Sequence, residues 1–74
     1  MQLTKGTSVL LKRGTRYTPS PNNPTEGSEH ECIGIIAMIG KAHYNVKWEN
    51  GTTNGYVEGD LRSVGPFVDI WPEI

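Results

Sequence analysis

Residues 43–48, HYNVKW, alternate strictly between polar and large apolar side chains, and an Asn-Gly pair follows almost at once. A period of two places Tyr44, Val46 and Trp48 on one face of a β-strand, which we expect to be buried. The pair Asn50-Gly51 supplies the two positive φ angles of a type I′ turn, so we predict a hairpin at this point. No segment shows a convincing period of 3.6, and no helix longer than one turn is expected.

Three other segments have the composition of strands. The sequence TSVLLKR predicts a first strand with Val9 and Leu11 on one face. The run CIGIIAMIG is almost wholly apolar and predicts a central strand covered on much of both faces, in which Gly34 marks a bulge or a close backbone approach. A short last strand is expected over residues 61–64, after a break at Gly59-Asp60.

The returning arm of the hairpin and the long polar segment complete the expected fold. Gly55 lies within the arm that returns after the hairpin turn, where glycine usually indicates a bulge. Residues 14–31 contain three prolines and almost no apolar side chain except Tyr17, so we predict one long loop between strands 1 and 2. The expected fold class is all-β, a small SH3-like barrel of about five strands formed by residues 1–64, with an apolar tail at residues 65–74.

Composition limits the classes of function. A chain of 74 residues with one cysteine forms no internal disulfide and no cysteine-rich zinc site, and its net charge of −1 is not that of a polycation. The start of the chain lacks the apolar run of a signal peptide, and no stretch approaches the roughly 18 apolar residues of a membrane span. We therefore expect a cytoplasmic protein that does not enter a membrane.

Catalysis has little support in the sequence. His30 and His43 are the only histidines, and neither belongs to a metal-binding spacing. Cys32 and His43 together form a conceivable nucleophile and base, but a single cysteine in an apolar strand is usually part of the core. No glycine-rich phosphate loop is present. We expect a protein that is not an enzyme, with no catalytic residues, no metal and no cofactor.

The segment VKWENGTTNGYVEGDL resembles the V-x-W-D-N-G-x-x-N-x-Y-R-x-G…D-L signature of the SH3-like repeats in Mind bomb and related HERC-type ubiquitin ligases. The matching residues are Val46, Trp48, Asn50, Gly51, Asn54, Tyr56, Gly59, Asp60 and Leu61. Val57 stands where the family has arginine, and the loop after strand 1 lacks the family's Asp-Trp and glycine-rich run. The resemblance implies an SH3-like barrel with a peptide-binding role. Tudor and KOW-type barrels share this fold and bind methylated side chains or nucleic acid, so fold alone does not assign the ligand.

The expected contact surface combines aromatic and basic side chains. Tyr17 is expected to be exposed in the long loop beside Arg13 and Arg16, and Tyr56 either caps the barrel or lines the edge of a groove. The candidate partner-binding residues are Arg13, Arg16, Tyr17, Tyr56 and Trp71. The preferred hypothesis is a protein or peptide ligand. The alternative is nucleic acid, bound through the basic residues of the first third of the chain and stacked on an aromatic ring.

The tail GPFVDIWPEI is too apolar for a solvated terminus. One interpretation is that it closes the barrel or adds a strand. The other is that Trp71-Pro72 docks on a partner or on a second copy of the chain, which would produce a homo-oligomer. A working hypothesis about context is a bacterial or bacteriophage accessory protein that binds and modulates a larger complex.

Overall fold

The computed structural model describes residues 3–65, and these form five antiparallel strands in one sheet. The strands are β1 (Ser8–Leu11), β2 (Gly34–Ile39), β3 (Tyr44–Trp48), β4 (Thr53–Tyr56) and β5 (Leu61–Gly65). Their order across the sheet is β4-β3-β2-β1-β5, and the single turn of 3₁₀ helix, Glu58–Asp60, precedes β5. The predicted all-β fold of five strands is confirmed, and the long loop, residues 12–33, lies between β1 and β2 as expected.

The apolar core is built from side chains of all five strands. Val9 and Leu11 of β1 are fully buried, as is Val46 of β3, and Trp48 is 1% exposed. The alternation in residues 43–48 therefore predicts the buried face of β3 correctly. The other core side chains are Leu3, Ile36, Tyr44, Tyr56 and Leu61.

The expectation for β2 is only half right. Gly34 and the two isoleucines after it are buried, but Met38 is 62% and Ile39 51% exposed, because the register of β2 against β3 shifts between Ile36 and Met38. The close backbone approach predicted at Gly34 is confirmed. A Cβ there would lie 2.5 Å from both Trp48 Cε3 and Val46 Cγ1.

The hairpin between β3 and β4 differs from the expected type. Gly51 has a φ of 96°, but Asn50 does not have a positive φ, so the turn is not type I′. Gly51 N–H donates to Trp48 O at 2.9 Å and Trp48 N–H donates to Thr52 O at 2.8 Å, the pattern of a type I turn followed by a glycine bulge. The predicted bulge at Gly55 is wrong. Gly55 pairs in regular register with Asn45.

Among the described residues, no helix is long and apolar enough to cross a membrane. Gly65, the first residue of the predicted apolar tail, ends β5. The rest of the tail, with Trp71 and the expected contacts to the barrel, a partner or a second copy, lies outside the described residues.

Candidate partner-binding site

The long loop leaves the sheet after β1 and returns alongside the same strand. Glu26 N–H donates to Leu11 O at 2.8 Å, and Leu11 and Thr25 form a parallel bridge. Pro24 and Thr25 are buried at this return point. The predicted loop therefore has a fixed anchor, which its polar composition does not indicate.

Residues 20–23 form a tight turn that we call the loop tip. Ser20 N–H donates to Asn23 O at 3.1 Å, and Asn23 N–H donates to Ser20 O at 2.9 Å. The Ser20 hydroxyl also accepts from Asn23 N–H at 3.2 Å. These bonds give the tip a defined shape that can contact the rest of the protein as a unit.

The tip lies on the β3–β4 hairpin and is held there by side-chain donors. Asn50 Nδ2 donates to Pro21 O at 2.7 Å. The single hydrogen of the Thr52 hydroxyl is directed at Asn50 Oδ1, 2.8 Å away, or at the same Pro21 oxygen, 3.2 Å away. Asn54 Nδ2 donates to Asn22 O at 2.8 Å. These donors reach main-chain carbonyls of the tip, so the hairpin recognises the path of the loop backbone.

Tyr56 contributes the central hydroxyl of this contact. Its oxygen accepts from Trp48 Nε1 at 3.1 Å, and its hydrogen is directed at Asn22 O, 3.1 Å away, or Asn23 Oδ1, 2.9 Å away. A phenol has one hydrogen, so it bonds to one of these acceptors at a time. Burial raises the pKa of Tyr56 above its ordinary value of 10.0, against the opposing hydrogen bonds from Trp48 and Asn54.

Three aromatic rings, those of Trp48, Tyr56 and Tyr17, pack in sequence from the core towards the surface. The rings of Trp48 and Tyr56 meet edge to face with centroids 5.7 Å apart, and those of Tyr56 and Tyr17 meet in the same way at 5.1 Å. Edge-to-face geometry is favourable for aromatic pairs. Tyr17 is therefore half-buried and packed against the core, rather than freely exposed as the sequence suggests.

Arg16 covers the outer side of Tyr17. Its guanidinium carbon is 5.3 Å from the Tyr17 ring centroid, within the range of a cation–π contact, and its Nη2 is 3.4 Å from the Tyr17 hydroxyl. The hydrogen bond to Tyr17 is the main cause that raises the pKa of Arg16 above its already high value. Arg16 itself is exposed, so its remaining N–H groups are accessible from solvent.

A second contact fixes the returning end of the loop. Glu26 accepts two hydrogen bonds from Arg62 of β5, from Nε at 2.9 Å and from Nη2 at 3.1 Å. The bidentate Arg62 contact is the largest cause that lowers the pKa of Glu26 below its ordinary 4.5. Arg13 N–H contributes a weaker bond of 3.4 Å to the same carboxylate.

The structure places some of the predicted contact residues at the surface and one of them in the core. Arg16 and Tyr17 lie together at the surface, and Arg13 is exposed near Glu26. Tyr56 is 1% exposed, so it supports Tyr17 from below and does not line an open groove. Trp71 lies outside the described residues.

Three polar residues of the site were missed by sequence reasoning. Asn50, Thr52 and Asn54 hold the loop tip. In the sequence, Asn50 and Asn54 belong to two Asn-Gly pairs, which indicate a turn and a bulge and give no sign of a contact with a distant loop. The available signal was the resemblance itself, since Trp48, Asn50, Asn54 and Tyr56 all belong to the matching signature. In this chain those four residues form one hydrogen-bonded connection to the loop.

The structure does not bring Cys32 and His43, the conceivable nucleophile and base, close to each other. β2 and β3 pair with Gly34 opposite Trp48 and Ile39 opposite Tyr44, so Cys32 and His43 lie beyond opposite ends of the strand pair. A shallow cavity of about 240 Å³ is lined by residues of the β2–β3 turn, including Lys41 and His43, and by Glu58. Among residues 3–65, no three His, Cys, Asp or Glu side chains form a group that could hold a metal ion.

Comparison of the chain with protein-family models, with curated proteins and with solved structures finds no match.

Proposed function

We propose that this protein is a non-enzymatic module that binds a protein or peptide ligand through the Arg16–Tyr17 surface of the long loop. The proposal includes a role as an accessory protein, of bacterial or bacteriophage origin, that modulates a larger complex. The observation that carries it is the seating of Tyr17 on buried Tyr56 with the Arg16 guanidinium over its outer face.

A prearranged surface binds more tightly than a mobile one, because less conformational entropy is lost on binding. The loop tip is held by Asn50 and Asn54, and the loop return is held by Glu26. Arg16 and Tyr17 lie on the segment between β1 and the tip and are therefore fixed from both sides. Tyrosine and arginine are also the residue types most often responsible for binding energy in protein interfaces.

The chemistry of the surface favours an acidic peptide. The planar guanidinium of Arg16 presents several donors in a geometry that matches a carboxylate. The adjacent Tyr17 ring offers an apolar contact for the neighbouring part of the ligand. An Arg–Tyr pair also suits a nucleobase, so nucleic acid is the second candidate.

The test is capture of partners from a lysate by the immobilised protein, with and without nuclease, followed by mass spectrometry of the captured proteins. We expect Arg16→Ala to weaken binding of the identified partner by about 2 kcal/mol, roughly 30-fold, with an unchanged melting temperature because the side chain is exposed. Lys41→Ala is the matched control, since Lys41 is an exposed cation at the β2–β3 turn.

Three results separate the candidates. A protein ligand is supported if capture by the parent protein survives nuclease treatment and is lost in Arg16→Ala but not in Lys41→Ala. Capture that disappears with nuclease, and a steep fall of binding with salt, would assign the surface to nucleic acid. Equal capture by Arg16→Ala and the parent protein would reject this surface.

A further inference from the structure

Both Asn-Gly pairs of the chain lie where the hairpin holds the loop tip. At such a pair the backbone nitrogen of glycine can attack Cγ of the asparagine side chain, because glycine has no Cβ to obstruct it. A new C–N bond forms, the amide C–N bond breaks, the glycine N–H proton leaves with the amine as ammonia, and a five-membered imide remains. Water then opens the imide to aspartate or isoaspartate. This reaction is one reason why asparagine is a thermolabile residue.

The fold restrains the reaction at Asn54 through its side-chain amide. Asn54 Nδ2 donates to Asn22 O at 2.8 Å and is 3.4 Å from Asn23 Oδ1. While these bonds persist, they restrict the side-chain rotation that the attack of Gly55 N on Cγ requires. The side chain is released only when the tip leaves the hairpin, so the rate should follow the fraction of molecules with an open tip.

The strand register distinguishes the two pairs. Bonded and non-bonded pairs alternate in an antiparallel ladder, and the bond from Trp48 to Thr52 makes Val46–Asn54 the next bonded pair. Gly55, opposite Asn45, then falls at a non-bonded position of the edge strand β4, and its N–H points away from β3. Gly51 N–H, in contrast, stays bonded to Trp48 O within the turn.

We propose that Asn54 is a site of hydrolytic deamidation controlled by the loop, and that the reaction releases the loop irreversibly. The product replaces the donor Nδ2 by a carboxylate oxygen. That oxygen faces two acceptors, Asn22 O and Asn23 Oδ1, so the attraction becomes a repulsion. The Arg16–Tyr17 surface then loses one of the contacts that fix its loop.

The experiment compares two neighbouring loop variants by peptide mapping during incubation at neutral pH and moderate temperature. Asn23→Ala removes the side-chain acceptor of Tyr56 and Asn54, whereas Asn22→Ala keeps the backbone carbonyl that the hairpin uses. We expect Asn54 to deamidate about fivefold faster in Asn23→Ala than in the parent, as loss of one net hydrogen bond implies. Asn22→Ala should match the parent, and Asn50 should change less than Asn54 in the same samples.

A second arm tests the consequence independently of the rate. In Asn54→Asp, amide exchange at Asn23 should be faster than in the parent, while Asn45→Asp, on the neighbouring strand, should leave it unchanged. Equal Asn54 rates in Asn23→Ala and the parent would overturn control by the loop. Unchanged exchange at Asn23 in Asn54→Asp would overturn the release.

Discussion

At the scale of single residues, contacts that are close in space but distant in sequence determine what each side chain does. Tyr56 is the clearest case. Its hydroxyl accepts from Trp48 and lies within hydrogen-bond distance of Asn23 and Asn22, which are 33 and 34 residues away in the sequence. A surface role for Tyr56 is compatible with its sequence neighbours, but burial excludes it.

Gly34 provides the test at this scale. We expect Gly34→Ala to destabilise the protein by about 1–3 kcal/mol, because a Cβ would overlap Trp48 and Val46 at 2.5 Å and those rings and methyls are packed in the core. Urea denaturation measures the change. Gly59→Ala is the control, since a Cβ at Gly59 meets no atom within 4 Å. Equal midpoints for the two variants would show that the Gly34 contact relaxes without cost.

At the scale of elements, the long loop behaves as an ordered part of the fold because the hairpin supplies donors for its carbonyls. Few apolar side chains order this loop: Tyr17 packs against the core, and Pro24 is buried at the loop return. The position of the loop tip, between these two contacts, depends on Asn50, Thr52 and Asn54, which lie on another element.

Hydrogen exchange in Asn54→Ala tests this dependence. We expect the amide of Asn23 in the tip to exchange about fivefold faster, since one net hydrogen bond is lost, while the amide of Glu26 at the loop return keeps its protection by Leu11 O. Asn45→Ala serves as the control on the adjacent strand. If Asn23 and Glu26 accelerate together, the loop opens as one unit and the two anchors are not independent.

At the scale of the whole molecule, the loop connects the two edges of the sheet. Its tip contacts the hairpin that contains β4, and Glu26 at its return pairs with Arg62 of β5. β4 and β5 are the outermost strands in the order β4-β3-β2-β1-β5, so the loop links the two edge strands of the sheet.

The pH dependence of stability tests the Glu26 contact. The pKa of Glu26 is lower in the folded protein than its ordinary 4.5, so the ion pair stabilises the fold fully above that pH and is lost as pH falls through the lower folded value. Thermal melting between about pH 6 and about pH 2 should show Glu26→Gln less stable than the parent at the upper end and converging with it at the lower end. Glu49→Gln, which removes an exposed carboxylate elsewhere on the surface, is the charge-matched control. An offset from the parent that stays constant over this pH range for Glu26→Gln would mean that the pair contributes nothing through its charge.

The amino-acid sequence by itself determined the fold class and the buried face of β3. Alternation at Tyr44, Val46 and Trp48 fixes which side of that strand is apolar, and this local property needs no knowledge of the partner strands. The boundary between β4 and β5 was predictable for the same reason, since glycine and turn residues act on the backbone where they occur. Gly34 likewise indicated a bulge or a close approach, but only the pairing with β3 shows that Trp48 and Val46 are the side chains it meets.

Only the tertiary structure decided the function of the polar residues. The type of the turn at Gly51, the regular pairing of Gly55 and the seating of Tyr17 on Tyr56 all depend on elements that meet in space. Asparagine favours turns in the sequence because its side chain can bond to nearby backbone, but the same amide can equally bond to a distant carbonyl. Which carbonyl Asn54 meets is set by how the loop crosses the sheet, and no local pattern encodes that path.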